Sequence, residues 1–402
     1  MRIGVLTTSF PRGEKDVAGN FVLGFARALA ARGHAIDVLA PEPAEGSAPP
    51  RWPGVEVHWV PYLRPRRWAR TFYGAGVPDN LRRDARAWFG LAPFAGALAL
   101  AARRAAPRWD AIASHWALPS AVAGAFARDA RPHVAVLHSA DVHLLSRLPA
   151  RARWAAHIAR GATTLAFVSD THRERFLGWL PRELRDGVAR RAHVQAMGVE
   201  APAAHDHDRA TARRALGVER FMLLSIGRLV PVKGLVEAAR ALAPRDDLEW
   251  WIAGAGPERD ALERIARSSR ARVRLVGEVH GADKEALFRA ADVLAVPSCR
   301  LSSGRSEGVP TVIAEAMARG LPVVASAVGG IPEIVRHAEN GLLIEPGDPR
   351  ALLHAVDRVR DDTVLRDALA AGARRDAVRF AWDRIAPRVE SWLMPDARVA
   401  SA

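Results

Sequence analysis

Twice along this chain, short apolar runs that end in polar residues alternate with longer amphipathic runs, and that alternation is the strongest constraint on its fold. It is the pattern of parallel strands joined by crossover helices, so the fold class is α/β. In the first series, residues 3–7 read as a strand, followed by a loop through Gly13 and Gly19. A helix over residues 21–32 then carries Phe21, Val22, Phe25 and Leu29 on one face and is closed by Gly33. Residues 36–40, 111–114, 134–138 and 165–169 are further strands. Ligands of open α/β sheets bind at the carboxyl ends of the strands, which places His115, His138, Asp141 and Asp170 where chemistry is done.

Between Glu200 and Val218 the sequence turns polar and loses its period, which marks a linker. A second series follows, with strands at residues 222–226, 249–253, 272–276, 293–296, 323–326 and 342–344. At roughly 150 residues per domain, 402 residues make two domains. The expected division is 1–200, a linker at 201–218, a second domain at 219–380, and a crossover helix and tail at 381–402. In that last stretch Trp382, Ile385, Ala386, Val389, Trp392 and Leu393 recur at helical spacing, an apolar face that must pack back onto the body of the protein.

Charge is distributed unevenly. Residues 1–200 hold 28 Lys and Arg against 16 Asp and Glu, whereas residues 201–402 hold 30 against 28, so nearly all of the +14 net charge lies in the first half. Such an excess faces an anionic partner, or it reflects an arginine-rich composition on solvated faces. The single cysteine, Cys299, excludes a disulfide framework and a cysteine-based zinc site and fits a reducing compartment, so a cytoplasmic location is expected. The opening MRIGVLTTSF reads as a first buried strand rather than as a signal peptide. The uncharged run at residues 87–102 is shorter than the ~20 residues a membrane span needs, so no transmembrane segment is expected.

The densest chemical signal is SEGVPTVIAEAMARGLPVVAS, residues 306–326. Glu307 lies in a glycine-rich loop, and a short helix over residues 311–319 is stopped by Gly320 and Pro322. The amides of Gly308, Val309 and Thr311 at the start of that helix can bind an anion. A carboxylate at such a site suits a ligand that also carries hydroxyls, and the second acid, Glu315, strengthens the case for a sugar nucleotide. An acidic helix start also stabilises by ~0.3–1 kcal/mol without any ligand.

A second element, SIGRLVPVKG at residues 225–234, presents Arg228 and Lys233 around glycine turns, a planar fork and a point charge suited to a diphosphate. In AGAGPER, residues 253–259, Gly254 and Gly256 give half a dinucleotide fingerprint; Arg259 stands where the third glycine would be, which points to close approach to a nucleotide and not to an NAD site.

With these pieces in place, the chain resembles the retaining, nucleotide-sugar-dependent glycosyltransferases of family four. The likeness runs through TTSFPRG and AGNFV (7–13 and 18–22), GHAIDVLAP, LHSADVH (137–143), FVSD (167–170) and MGVE (197–200). It continues through the SIGR, VKG and AGAGPER pieces, the two glutamates with seven residues between them, and VGGIPEIV (328–335). The resemblance implies a GT-B fold: two Rossmann-like domains with parallel sheets facing across a cleft, and a C-terminal helix packed back on the N-terminal domain. It implies that Arg228 and Lys233 bind the donor diphosphate and neutralise it as it leaves. Glu315 would hold the ribose hydroxyls and Glu307 would orient the donor sugar. Gly19, with Asn20 beside it, would let backbone approach the donor, His138 would lie near the transferred sugar, and Asp141 would shape that loop. Ser139 and Met197 depart from the family pattern without removing a charged group.

The implied reaction is front-face substitution with retention, in which the leaving diphosphate oxygen takes the acceptor's proton. The nucleotide-diphosphate sugar is then a co-substrate, with no cofactor and no metal expected. The one metal-like string, His205 to Asp208 in the linker, lies away from the strand ends. His115 and Trp116 read either as a packed core pair or as a wall of the acceptor site, and His34 as part of a helix end.

Residues 61–76 interleave Arg64, Arg66, Arg67 and Arg70 with Tyr62, Trp68, Phe72 and Tyr73, a composition that favours an anionic membrane surface and hence a glycan or lipid-linked acceptor. No nucleic-acid module accompanies it, so nucleic acid is not an expected partner. A small soluble acceptor, and a nucleotide-sugar-binding protein without catalysis, remain as alternatives. The joint presence of Glu307, Glu315, Arg228, Lys233 and His138 argues against the second of these.

Overall fold

The structure, a computed structural model, describes the chain except for residues 14, 15, 17, 46, 47, 75, 201, 203–207 and 395–402. It divides into two compact units, Met1–Gly198 with Trp382–Ala402, and Val199–Ala381. The metal-like string falls largely outside the described residues, as does the tail after Met394.

The strands of the first unit are β1 (Arg2–Leu6), β2 (Ala35–Pro41), β3 (Arg51–Trp52), β4 (Val55–Val60), β5 (Ala111–His115), β6 (His133–Leu137), β7 (Thr164–Phe167) and β8 (Ala192–Val194). They form one sheet in the order β3-β4-β2-β1-β5-β6-β7-β8, parallel throughout except for the β3/β4 pair at its edge. β5, β6 and β7 are buried along their whole length, as expected where helices cover both faces of a parallel sheet.

The second unit holds β9 (Phe221–Ile226), β10 (Leu248–Ala253), β11 (Arg272–Gly277), β12 (Val293–Val296), β13 (Val323–Ser326) and β14 (Leu342–Ile344). Its order is β11-β10-β9-β12-β13-β14, all parallel. The order reverses between β9 and β12, and such a switch point opens a crevice at the carboxyl ends of the two strands.

Residues expected to be an aperiodic linker include a helix, Arg209–Leu216. Asp208 caps its start through the Thr211 amide, Gly217 ends it in the left-handed region, and Arg213 reaches Asp292 at 2.8 Å. Only Ala212 of this helix is buried, so it has no apolar stripe for a periodicity argument to find.

The C-terminal helix Trp382–Leu393 belongs to the first unit, where Ile385, Val389 and Leu393 join the core built on Ile3, Val5 and Phe25. Its first residue is a wedge. A Cβ on Gly24 would lie 2.8 Å from Trp382 Nε1, and one on Gly198 would lie 2.4 Å from Trp382 Cδ2. Gly198→Ala is therefore expected to displace the indole and destabilise the protein by about 1–3 kcal/mol, read as a lower midpoint in urea. An unchanged midpoint would remove the wedge from the account.

The expectation for residues 61–76 is corrected by the structure. Tyr62 and Phe72 are buried and pack with Phe94 at ring distances of 5.3 and 4.4 Å, and the Tyr73 hydroxyl donates to the Pro41 carbonyl at 2.8 Å. Arg64 and Arg66 are paired with Glu42 at 2.6 and 2.8 Å, leaving Trp68 as the one exposed ring of the segment. These aromatics close the core beside the sheet, so of the segment's rings only Trp68 joins its exposed arginines at the surface.

Candidate active site

The β9/β12 switch point assembles most of the residues singled out on the second unit. After β9 the chain turns through Gly227 and Arg228, makes a single tight turn at Pro231–Lys233, and enters the helix Leu235–Leu242 through Gly234. Gly234 is left-handed at φ 65°, and a Cβ there would lie 2.1 Å from the Pro297 carbonyl just after β12. The two loops are thus in backbone contact, and Cys299 confirms the seam by donating its amide to the Val232 carbonyl at 3.0 Å.

Lys233 and Glu307 meet there. Lys233 Nζ lies 3.1 Å from Glu307 Oε1, with side chains 17 % and 12 % exposed, so the pair is screened from bulk water yet open on one side. Glu307 is held from behind: a Cβ on Gly329, at φ 60°, would lie 1.9 Å from the Glu307 carbonyl, and the Gly330 amide donates to the Gly308 carbonyl at 3.1 Å. That contact explains the first of the two glycines of VGGIPEIV, Gly329. Gly308 is buried and Val309 half-buried just ahead of the helix Thr311–Ala318. Glu315, on that helix, is paired with Lys284 at 2.7 Å. Arg228 is exposed in the loop after β9.

Lys284 was not singled out from the sequence, though a signal was there. The chain has 3 Lys against 55 Arg, and both described lysines sit on the two glutamates of the motif. Gly254 and Gly256 have a different reason from the one expected. A Cβ at Gly254 would lie 1.9 Å from the Gly227 carbonyl and one at Gly256 2.3 Å from the Leu229 carbonyl, so the close approach they permit is to the loop after β9.

On the first unit, the order reverses between β1 and β5, and His138 stands nearby, at the end of β6 and at the start of the helix Ser139–Arg147. Its Nε2 is 3.3 Å from Nδ1 of His115, which ends β5, and the two rings are stacked at 5.5 Å. Phe21 and Trp116 each pack on His138 at 5.0 Å. Burial, with His172 beyond, pushes the His138 imidazole down to about 3, so it is neutral at physiological pH. His115 is fully buried against Phe25 at 4.7 Å, which favours the core reading of that residue, but it is also the direct partner of His138.

Asp141 is turned to backbone. It accepts from the Ala117 amide at 2.6 Å and from the Val142 amide at 2.9 Å, and burial pushes its carboxyl up to about 7 despite those bonds. It ties the loop after β5 to the helix after β6, which fits loop shaping and not contact with a donor. Gly19 is left-handed at φ 70°, and its Cβ would lie 2.3 Å from the Ser9 carbonyl; Asn20 is exposed at the start of the helix Asn20–Ala30. Asp170, also at a strand end, pairs with Arg173 at 2.7 Å.

Among the described residues one group has metal-like spacing, Asp37, Glu56 and His58 on β2 and β4. Arg2 Nε already lies 2.8 Å from Asp37, supplying the positive charge a cation would bring.

Comparison with known proteins follows the same division. Residues 18–190 match the description "Glycosyl transferase 4-like domain" and residues 208–376 match "Glycosyl transferases group 1". A D-inositol 3-phosphate glycosyltransferase of Salinispora arenicola is 36 % identical over 325 residues, 72 % of this chain and 69 % of the relative. A second, from Geodermatophilus obscurus, is 33 % identical over 401 residues, 90 % of this chain and 81 % of the relative. Anabaena HepE, solved with UDP-glucose, shares the fold with a TM-score of 0.72 at 22 % identity, over 98 % of this chain and 99 % of HepE. With two parallel-sheet α/β units of GT-B type, the chain belongs to the family-four glycosyltransferases.

Proposed function

We propose that this glycosyltransferase is a retaining enzyme that moves a sugar from a nucleotide-diphosphate sugar to a hydroxyl of a lipid-linked or cell-surface glycan precursor. The observation that carries the donor half of this reading is the Lys233–Glu307 pair at the carboxyl ends of β9 and β12. A departing diphosphate needs positive charge beside it, which Lys233 and Arg228 offer as a point charge and a planar fork. A sugar needs an acceptor of hydroxyl hydrogen bonds, which Glu307 offers. Glu315 is assigned to the ribose and Gly308 and Val309 to amide contacts with the donor, by family resemblance.

Retention follows in this reading from front-face attack: the acceptor oxygen bonds to the anomeric carbon on the side the diphosphate leaves, and the leaving oxygen takes the acceptor proton. No protein base is then required, and a neutral His138 suits a role beside an uncharged sugar. Location at the cytoplasmic face of a membrane belongs to the same reading.

A second reading is favoured by the activity for which the relatives are named. Their acceptor, D-inositol 3-phosphate, is small and anionic, and a basic first half suits a phosphorylated soluble acceptor as well. Thermal-shift measurements with UDP-, GDP- and ADP-sugars identify the donor, since a ligand at a hundred times its Kd adds about 2.7 kcal/mol of stability. Product analysis with lipid-linked and inositol-phosphate acceptors then separates the two readings.

Because the proposal assigns the diphosphate's charge to Lys233 and Arg228, turnover is expected to be the same within about twofold after EDTA treatment. A strict requirement for added Mg²⁺ or Mn²⁺ would overturn the mechanism.

A further inference from the structure

The first unit exposes an apolar face that none of the candidate site residues lines. The helix Leu91–Ala105 packs against Val122–Ala127, which packs in turn against Arg151–Gly161. Their inner sides are core: Phe94 and Leu98 on the first, Ala123 and Ala127 on the second, Ile158 and Ala159 on the third. The outer side of the first stays apolar over most of its length, with Ala92, Pro93, Gly96 and Leu100 exposed, and that of the third sets Trp154 among arginines. A groove of about 660 Å³ runs over them, lined by Ala95, Ala99, Val122, Phe126 and Trp154 with Arg153 at its edge. Phe126 is 55 % exposed and Trp154 40 %, Leu100 stands out at 49 %, and just ahead of the first helix Trp88 and Phe89 are exposed at 57 % and 72 %.

Scattered exposed side chains are ordinary, but a groove flanked by large exposed rings marks an interaction surface. Charge says what covers it. Residues 85–161 contain ten Arg and three Asp, and of those three Asp141 is buried and Asp129 is paired with Arg103 and Arg131. Arg86, Arg104, Arg151, Arg153 and Arg160 are exposed, and the Arg103 guanidinium lies 5.2 Å over the Phe126 ring. A two-fold contact with a second copy would set this arginine field against itself. An anionic bilayer meets both features together: indole and phenyl rings settle at the headgroup boundary, and each basic side chain near the surface adds to the attraction.

The stretch Ala85–Arg108 is long and apolar enough, by length and composition, to cross a membrane, which differs from the expectation set by its shorter uncharged run. Its Phe94, Leu98, Ala102 and Ala105 side is committed to the core, so the segment can present only its outer side to lipid.

We infer that the outer face of Leu91–Ala105, Val122–Ala127 and Arg151–Gly161, with Trp88 and Phe89, docks the protein flat on an anionic phospholipid bilayer. The inference concerns a surface and not the transfer reaction. An enzyme that binds vesicles and glycosylates a soluble acceptor would support it while overturning the lipid-linked acceptor, and the reverse result would do the opposite.

The test is co-sedimentation of the full chain with vesicles of phosphatidylcholine, with and without phosphatidylglycerol. Binding is expected to the anionic vesicles and to weaken with salt. Phe89→Ser, Phe126→Ser and Trp154→Ser, all at exposed positions, should each weaken it by about tenfold with unchanged thermal midpoints. Arg86→Gln with Arg104→Gln and Arg153→Gln should remove the preference for anionic over neutral vesicles. Arg67→Gln with Arg70→Gln, in the segment whose aromatics are buried, should bind as the unsubstituted protein does. Absence of vesicle binding, full binding by the three serine variants together, or a concentration-dependent dimer abolished by those variants would each overturn the proposal.

Discussion

Glu307→Gln and Lys233→Ala are each expected to lower kcat by roughly a hundred- to a thousandfold, the range seen when one preorganised electrostatic group is lost. Lys233 Nζ and Glu307 Oε1 are 3.1 Å apart and mostly shielded, so the donor must slip between or beside two charges that already compensate one another. Glutamine keeps the shape and hydrogen-bonding reach of Glu307 while removing its charge, which leaves Lys233 uncompensated in the free enzyme but still facing the diphosphate. Loss of Lys233 leaves Glu307 beside the diphosphate with only Arg228 to offset it, the more damaging arrangement. Because the two act as a unit, the double variant should be little slower than the worse single one. Thermal midpoints within a few degrees of the unsubstituted protein separate a chemical loss from an unfolded one. Near-normal turnover in both single variants would remove the donor assignment.

Acid is expected to destabilise the first unit at a pH where most proteins are indifferent. Burial pushes His133 and His172 down to about 4 and His138 to about 3, and holds fully buried His115 well below its ordinary value. Each imidazole stays neutral in the folded protein, while in the unfolded chain it takes a proton below pH 6.5. The unfolded state therefore binds more protons, and each histidine removes about 1.4 kcal/mol of stability per pH unit below 6.5 until its folded pKa is reached. At pH 5 that is roughly 2 kcal/mol for each of His133, His138 and His172, with His115 acting in the same direction. Asp141 works the other way: burial raises its carboxyl to about 7, so its unfavourable contribution grows from about pH 4 to pH 7 and is relieved on acidification. The net loss between pH 7 and pH 5 is on the order of 5 kcal/mol, a large part of a typical 5–15 kcal/mol total. Urea unfolding at the two pH values measures it. A flat profile would mean that water or a local opening reaches these rings. His172→Asn should reduce the slope by about 1.4 kcal/mol per pH unit.

Much of the second unit was legible because its strands are buried on both faces. Residues 293–296 and 342–344 are runs of Val, Leu, Ile and Ala bounded by Pro, Gly or charged residues, residues 323–326 are a similar run opened by Pro322 and ended by Ser326, and the observed strands have the same limits. The edge pair in the first unit was not read, although VEVHWV alternates as β4 does in burial, because a Pro-rich stretch precedes it. At the site, residue types pointed to a sugar nucleotide, but which charges compensate one another depends on contacts across the sheet. Lys233 and Glu307 come from the loops after β9 and β12, and Lys284 reaches Glu315 from a separate helix. The glycines at 254 and 256 were read as room for a ligand, whereas the constraint at each is a neighbouring carbonyl. Glycine in a sequence signals close approach without naming what approaches.

The wedge of Trp382 between Gly24 and Gly198 has a consequence for synthesis. The first unit is not a continuous stretch of polypeptide, and its core lacks Ile385, Val389 and Leu393 until the whole second unit has left the ribosome. The second unit, contiguous from Val199 to Ala381, can complete its core before the first one does. Domains usually finish in the order they are translated; here the earlier one waits for the later, with the hydrophobic pocket for Trp382 open in the interval.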